Sequence, residues 1–171
     1  MFPINLTRAQ YRRNGVANSV LLLSGLATPD VQVGRRELDH LLECRAAIRD
    51  LLDSNLTGRA DPAASIRLAH LAADHPVTLT DGSGEALSLD LSPATSVDGV
   101  ISQMIGIVFQ AQREGQWSRL KVCASDECRW AFFDSSRNQG GTWCQMETCG
   151  NRVKNRSYRR RASARRHAAA R

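Results

Sequence analysis

Four of the five cysteines in the sequence lie close together, in a pattern that could hold a metal ion. Cys123 and Cys128 form one pair, Cys144 and Cys149 form a second, and the overall spacing is Cys-x4-Cys-x15-Cys-x4-Cys. Each pair can wrap a tight turn around one ion, so two turns complete a tetrahedral thiolate shell with Zn–S near about 2.3 Å. Four protein sulfurs leave no open coordination position, so the predicted Zn²⁺ site is structural rather than catalytic.

Other uses of four cysteines fit this spacing less well. An iron–sulfur cluster could also take four thiolates, but the usual ferredoxin spacings are not matched. The cytosolic location that we expect disfavours disulfides, and a Cys-x-x-Cys redox pair is absent. A unit of about 30 residues buries too little apolar surface to fold alone. Apparent zinc binding of about 10–16 kcal/mol would supply that folding energy, so Zn²⁺ is the predicted cofactor.

The residues around the cysteines suggest how such a centre would be supported. Lys121 and Arg129 are expected to offset part of the excess negative charge of a four-thiolate zinc centre. The unit's small apolar complement is predicted to be Trp130, Phe132, Phe133 and Trp143. By contrast, Cys44 falls on an apolar helical face, where cysteine behaves as a small buried hydrophobe. Four histidines lie outside the cysteine unit and are expected to be surface or partly buried side chains: His40, His70, His75 and His167.

The charge of the chain is strongly segregated. Nine of the 23 Lys and Arg residues, and none of the 17 acids, lie in residues 151–171. Residues 1–150 therefore hold 14 basic residues against 17 acids, so the body is mildly acidic and the tail carries +9. Such a basic block favours a polyanion such as nucleic acid as its partner. No apolar run approaches the roughly 18 residues of a membrane helix, and no signal-peptide pattern is present, so no membrane partner is expected.

The elements that must position the cysteines are predicted to be mostly helical. Periodic apolar residues indicate a helix after Arg36, a second helix from Pro62 with Asp61 as its N-cap, and a long helix over 95–114. A β-hairpin is predicted from segments 77–80 and 85–91, which flank a Gly-rich turn. Before these, 8–13 is predicted to be helical, Asn14-Gly15 a turn, and 16–26 a short helix or strand. A polar loop is predicted over 55–61.

These patterns give a fold class and a division of the chain. The fold is predicted to be mainly α with a small β-hairpin, in which a helical N-terminal domain precedes a small zinc-finger domain with a basic C-terminal helix. The helical domain is assigned to residues 1–116 and the finger with its basic helix to residues 117–161. Residues 162–171 are predicted to be a disordered basic tail. The boundary at 117 follows from a composition shift, since Trp117 opens the Cys-rich and Trp-rich region.

The cysteine region resembles the CGNR zinc finger family. The resemblance lies in Cys123-Ala-Ser-Asp-Glu-Cys128, Phe133-Asp134-Ser135, Trp143-Cys144-Gln-Met146 and Cys149-Gly150-Asn151-Arg152, which occur in that order. It implies a largely helical N-terminal domain of the kind called ABATE, and the role of a stress-induced bacterial transcription regulator. It also implies that the four cysteines are the zinc ligands and that the finger binds nucleic acid.

The resemblance places a basic helix directly after the last cysteine. Gly150 is expected to permit a tight turn, and Asn151 to cap the helix that Arg152 opens. The residues expected to contact nucleic acid are Asn151, Arg152, Lys154, Arg156, Arg159, Arg160 and Arg161. Among them, Arg152, Arg156, Arg159 and Arg160 share one helical face. An alternative for Arg152 is a salt bridge within the finger, with Asp134 as the suggested partner.

Three functions are compatible with these patterns. A cytoplasmic DNA-binding regulator is favoured, and the helical domain would then sense a small molecule or stress signal, form a homodimer or contact a partner. An RNA-binding protein is the second, because aromatic residues of the finger could stack on unpaired bases. The third is a protein-interaction adaptor with a purely structural zinc site. An enzyme is not expected, since the sequence has no glycine-rich phosphate loop, nucleophile elbow or open metal site.

Overall fold

The computed structural model describes residues 26–81, 84 and 87–169, with side chains as far as Ser163. In this part of the chain the fold is mainly helical with two small antiparallel sheets, which confirms the predicted fold class. The helices are α1 (Arg35–Thr57), α2 (Pro62–Asp74), α3 (Val97–Arg113) and α4 (Asn151–Ala169). The strands are β1 (Leu79–Thr80), β2 (Ser88–Leu89), β3 (Leu120–Val122) and β4 (Ala131–Phe133). The predicted features over residues 8–25 lie outside the described residues.

Helix α1 is the central element and contacts α2, α3 and β3. Its buried face consists of Leu41, Leu42, Cys44, Ala47, Ile48 and Leu52, at the helical spacing that the sequence predicted. The helix continues through Thr57, so it occupies part of the predicted polar loop. It ends where Gly58 adopts φ 69° and donates its backbone N–H to the Ser54 carbonyl oxygen at 2.8 Å, because glycine accepts this left-handed conformation readily.

Helix α2 begins as predicted but buries a different face. The Asp61 side chain accepts a hydrogen bond from the Ala64 backbone N–H at 2.9 Å and so caps the helix. The buried positions are Ala64, Leu68 and Leu71, whereas Ile66 is 55% exposed. The sequence pattern predicted that Ile66, Ala69, His70 and Ala73 share the buried face, but that face is exposed, because the opposite face carries two leucines and packs on α1 and α3.

The predicted hairpin forms over fewer residues than expected. Leu79 lies opposite Leu89 in the β1–β2 pair, while Leu87 and Leu91 are exposed. Leu89 packs over Gly106 of α3, where an added Cβ would lie 3.2 Å from Leu89 Cδ2. The helical periodicity that predicts α3 comes from six apolar residues, and the structure buries all of them, namely Val97, Val100, Ile101, Met104, Ile105 and Val108.

The second half of the chain joins the hydrophobic core through a hairpin. A short 3₁₀ turn over Trp117–Arg119 leads into β3, which pairs with β4 so that Val122 lies opposite Ala131. Val122 and Ala131 are buried in the same apolar cluster as α1 and α3. Trp130 and Phe133, in contrast, are 36% and 50% exposed, so the expected aromatic core of the finger is wrong for these two residues. The hairpin packs on α1 through β3, and its buried side chains, Val122 and Ala131, are small. The predicted boundary at residue 117 thus falls inside one continuous core.

Helix α4 extends beyond the predicted end of the finger unit. It is helical through Ala169, which differs from the disordered tail predicted from residue 162. The physical reason is composition, since residues 158–169 are rich in alanine and arginine, two strong helix formers. None of the helices in the described ranges has the length and apolar character needed to cross a membrane.

Candidate metal centre

The structure brings the sulfurs of Cys123, Cys128, Cys144 and Cys149 together. All four Sγ atoms lie within 4.8 Å of one another. Two of the separations are 3.6 Å for Cys128–Cys144 and 3.7 Å for Cys144–Cys149. A tetrahedral ion with Zn–S of about 2.3 Å requires S···S separations near about 3.8 Å, whereas a disulfide needs about 2.05 Å. The donor set and its geometry therefore fit one tetrahedral metal ion, and four thiolates are a donor set that structural zinc sites use.

The first cysteine turn follows directly from β3. Cys123 is fully buried, and its backbone N–H donates to the Trp130 carbonyl oxygen at 2.8 Å. The Ser125 carbonyl oxygen then accepts hydrogen bonds from the backbone N–H groups of Cys128 and Arg129, each at 2.9 Å. Arg129 adopts φ 48°, a left-handed conformation that favours glycine. This turn reverses the chain between the antiparallel strands β3 and β4 and carries both cysteines of the first pair.

The second cysteine turn is a π-helical turn, Met146–Gly150, that continues without a break into α4. Cys149 and Gly150 donate their backbone N–H groups to the Gln145 carbonyl oxygen. A Cβ on Gly150 would lie 2.9 Å from Trp143 Cδ1 and would also overlap the Met146 sulfur. Gly150 is thus needed because no side chain fits, not because of a left-handed backbone. Asn151 has helical angles, φ −63° and ψ −39°, so the expected N-cap is replaced by this continuous turn.

The pKa values of three of the thiols, Cys123, Cys144 and Cys149, show how a cation would stabilise the cluster. Burial and the neighbouring sulfurs raise the pKa of the Cys144 thiol. Burial likewise raises the pKa of the Cys149 thiol. Burial also acts to raise the pKa of Cys123, but hydrogen bonds from the backbone N–H groups of Cys144 and Ser125 lower it overall. The protein therefore favours the thiolate form of Cys123, whereas Cys144 and Cys149 need a nearby positive ion to ionise readily.

A buried ion pair organises the connector between the two cysteine turns. Lys121 Nζ lies 2.8 Å from Asp134 Oδ2, and the two side chains are only 7% and 3% exposed. Lys121 also donates to the carbonyl oxygens of Gln139 and Gly141. Ser136 and Gly141 complete the set by donating to Asp134. The connector thus folds around a fully hydrogen-bonded charge pair. Lys121 neutralises Asp134, whereas the sequence predicted that it would offset the negative charge of the thiolates.

The pKa of Asp134 reflects this arrangement. Burial would raise it, but hydrogen bonds from Lys121, Ser136 and Gly141 hold it well below its usual range. The Gly141 backbone N–H can approach the Asp134 carboxylate closely because glycine has no side chain. An added Cβ would lie only 2.6 Å from Asp134 Oδ1.

Polar contacts anchor the first cysteine turn to α1. Arg129 Nη2 lies 2.7 Å from Asp53 Oδ1, and the Arg129 carbonyl oxygen accepts a hydrogen bond from the Arg49 guanidinium. Asn55 Nδ2 donates to the carbonyl oxygens of Trp117 and Leu120 at 2.7 and 2.9 Å. Partners on α1 thereby hold Arg129 in its left-handed conformation. Its guanidinium pairs with the Asp53 carboxylate, whereas the sequence predicted that it would offset the negative charge of the thiolates.

The basic residues predicted to contact nucleic acid fall on two sides of α4. Arg156 Nη2 lies 2.6 Å from Glu127 Oε1, and Arg152 Nη1 lies 3.9 Å from Glu127 Oε2. Arg152 therefore has its acid partner within the finger, but that partner is Glu127 and not Asp134. Lys154 and Arg161 line a groove together with Trp143 and Tyr158. Asn151, Arg159 and Arg160 are exposed.

Several residues around the centre could not be found from sequence spacing. Glu127 lies within the first cysteine pair and Asp53 lies on α1, but nothing local in the sequence indicates their partners, which lie 29 and 76 residues away in the chain. His40, His75 and Asp98 also converge, although no ligand pattern in the sequence links them. Cys44 is fully buried and burial raises the pKa of its thiol to about 12, which fits the predicted role of a small apolar side chain.

Four clustered thiols on two turns, with a basic helix leaving the second turn, define a metal centre of the zinc-finger class. The sequence model of the CGNR zinc finger family matches residues 119–162, which include all four cysteines and the first part of α4. No curated protein matches the chain. The likeness of residues 1–116 to the ABATE domain stays a prediction.

Proposed function

We propose that this chain is a DNA-binding transcription regulator in which zinc orders the cysteine turns and α4 contacts the nucleic acid. One observation carries the proposal: the basic helix begins two residues after the last metal ligand, with no linker between them. A metal centre that fixes this helix also fixes the direction in which its cations point. The chain has a binding role in this proposal and no catalytic one.

The exposed cations of α4 support contact with phosphate. Lys154, Arg159, Arg160 and Arg161 are exposed, and the described residues give none of them an ion-pair partner. Ion pairs with phosphate release condensed counterions from the nucleic acid, which supplies most of the free energy of such binding. Four or more cations on one helix therefore favour a polyanion over an uncharged partner.

The Arg152 and Arg156 pairs with Glu127 do not oppose this role. All three side chains are more than half exposed, and exposed ion pairs contribute only about 0–1 kcal/mol. A phosphate group can therefore replace Glu127 at little cost. When no phosphate is bound, Glu127 pairs with Arg152 and Arg156 and so links the first turns of α4 to the first cysteine turn.

The direct test is binding of the zinc-loaded full chain to duplex DNA, measured by fluorescence anisotropy over a range of salt concentrations. We expect affinity to fall steeply with salt, and the triple variant Lys154→Ala/Arg159→Ala/Arg160→Ala to lower the slope by about 0.9 for each phosphate that the variant no longer neutralises. The matched control is Arg36→Ala/Arg59→Ala/Arg113→Ala, which removes the same charge from the helical unit. If both triple variants weakened binding equally, general charge rather than α4 would carry the binding.

RNA binding is the second candidate, and the groove beside α4 favours it. Tyr158 is 68% exposed and lies in a groove with Trp143, Lys154 and Arg161. Aromatic faces next to cations suit unpaired bases, which stack on the ring while the phosphate contacts the cation. Tyr158→Ala separates the two: we expect it to weaken single-stranded RNA binding by about tenfold or more if RNA is the ligand, and to leave duplex DNA binding nearly unchanged if DNA is the ligand.

The adaptor hypothesis predicts a different result in the same assays. Neither nucleic acid would bind with a dependence on α4, and exposed apolar side chains such as Trp130 and Phe133 would instead cover a protein partner. In the favoured proposal the helical unit carries the regulatory input, through a small molecule, a stress signal, a homodimer or a partner protein. The cytoplasmic location also stays part of this proposal.

A further inference from the structure

Two histidines and one aspartate that are distant in the sequence meet where α1, α2 and α3 converge. His40 lies on α1, His75 follows the last residue of α2, and Asp98 lies in the first turn of α3. One ligand atom from each lies within 4.8 Å of the other two. The imidazole rings meet edge to face, with centroids 5.9 Å apart. The cluster is separate from the cysteine centre and is independent of the proposed nucleic-acid binding.

The hydrogen bonds of His75 fix which of its nitrogens carries a proton. The residue is 4% exposed, and its Nδ1 lies 2.8 Å from the Leu71 carbonyl oxygen. A carbonyl oxygen only accepts, so Nδ1 must be the donor. In a neutral imidazole the other nitrogen, Nε2, then carries a lone pair.

That lone pair faces another acceptor. Nε2 of His75 lies 3.2 Å from Asp98 Oδ1, and neither atom of this pair has a proton to donate when the ring is neutral. A buried lone pair directed at a carboxylate oxygen is unfavourable unless a positive species lies between them. The two species that meet this need are a second ring proton, which makes an imidazolium–carboxylate pair, and a metal ion.

The position of His40 favours the metal ion. An imidazolium–carboxylate pair needs no third group, whereas a metal ion uses a second imidazole as a further ligand. The Nδ1–H hydrogen bond from His75 to a backbone carbonyl is also the contact that orients metal-binding histidines and raises their basicity. The Asp98 side chain is 73% exposed, so an ion can enter from solvent and keep water in its remaining positions.

We propose that His40, His75 and Asp98 form a second metal site that binds a divalent first-row transition ion such as Zn²⁺. Two imidazoles and one carboxylate are the donor set that such ions accept, and it differs from the thiolate set of the cysteine centre. Because the ligands come from α1, from the residue that follows α2 and from α3, the bound ion ties the three helices together at one end. Binding to the folded state alone stabilises it, so the melting temperature rises with metal concentration.

The first test measures metal stoichiometry on the full chain, by dialysis against Zn²⁺ followed by elemental analysis. We expect two ions per chain in the wild type and one in His40→Ala and in Asp98→Asn. The matched controls are His70→Ala and Asp74→Asn, which change exposed residues of the same types on α2 and should keep two ions. Asp98→Asn alters a side chain that is mostly exposed, so it keeps the test decisive even if His40→Ala fails to fold.

The second test observes His75 directly, by the ¹⁵N chemical shifts of its imidazole in the full chain. We expect a protonated Nδ1 and an unprotonated Nε2 whose shift changes when Zn²⁺ is added beyond one equivalent. One ion per chain in the wild type, with both His75 nitrogens protonated at neutral pH, would overturn the proposal in favour of an ion pair. A second ion that binds the wild type, His40→Ala and Asp98→Asn equally would also overturn it, as adventitious binding.

Discussion

The helical unit and the cysteine unit are stabilised by different interactions, although they share one core. Helices α1 and α3 bury continuous apolar faces, in which Leu52, Val100 and Ile101 are at most 1% exposed. The cysteine unit buries few apolar side chains, and much of its interior is sulfur, Lys121 and Asp134. Apolar burial is insensitive to metal and proton concentration, whereas the thiolate cluster depends on both and the Lys121–Asp134 ion pair depends on proton concentration. The two units should therefore respond differently to the same perturbation.

Metal removal is expected to give the largest difference between the units. Apparent zinc binding contributes about 10–16 kcal/mol in zinc-finger peptides, far more than the apolar contacts of the cysteine unit can replace. We expect a strong chelator to abolish amide hydrogen-exchange protection over residues 120–150 while protection persists in α1 and α3. Cys149→Ser should mimic the chelator, and Cys44→Ser should keep the metal. Equal loss of protection in both units would show that they unfold as one.

Loss of the buried ion pair between Lys121 and Asp134 is expected to have the second-largest effect on stability. Breaking such a pair by removing one partner costs about 3–5 kcal/mol, because an uncompensated charge stays buried. We expect Lys121→Met to reduce the unfolding free energy by this amount, and Lys121→Met/Asp134→Leu to recover much of it. Arg67→Met, which breaks a pair between exposed side chains, is the matched control and should have little effect. A reduction no larger than that of the control would contradict the buried role.

The same pair predicts a pH dependence. The pKa of Asp134 is lower in the folded state than in the unfolded chain, so its contribution to stability is present above the unfolded pKa near about 4 and is lost as pH falls towards the folded pKa. We expect Asp134→Asn to unfold with a shallower acid dependence than the wild type below about pH 4. Parallel acid profiles for the two proteins, measured by denaturant unfolding, would show that Asp134 does not titrate in this way.

A cavity in the helical core is expected to have a smaller effect on stability than metal removal or loss of the buried ion pair, and to act on the helical unit. Leu52→Ala removes a side chain that is 1% exposed, and such changes cost about 2–5 kcal/mol. We expect lower unfolding free energy with unchanged metal stoichiometry, while Ile66→Ala at an exposed position of α2 changes neither. If Leu52→Ala also released metal, the packing of β3 on α1 would control the metal centre more strongly than expected.

Sequence patterns were informative where one interaction dominates over a short range. The periodic apolar spacing of α1 and α3 and the Asp61 cap each involve residues within a few turns of one another, and each cysteine pair lies within six residues. The same reasoning failed for Trp130 and Phe133, because their burial depends on whether the hairpin packs on α1. It failed for α2 for a related reason, since α1 and α3 select which side of that helix is buried.

The sequence by itself determined the fold class, the cysteine cluster and the basic character of the segment that follows it. These depend on local periodicity, ligand type and charge, which are properties of the chain before it folds. Only the tertiary structure decided that Arg129 pairs with Asp53, that Lys121 pairs with Asp134 and that His40, His75 and Asp98 meet. Each of these contacts joins residues that are separated in sequence, and such contacts exist only after packing brings the elements together.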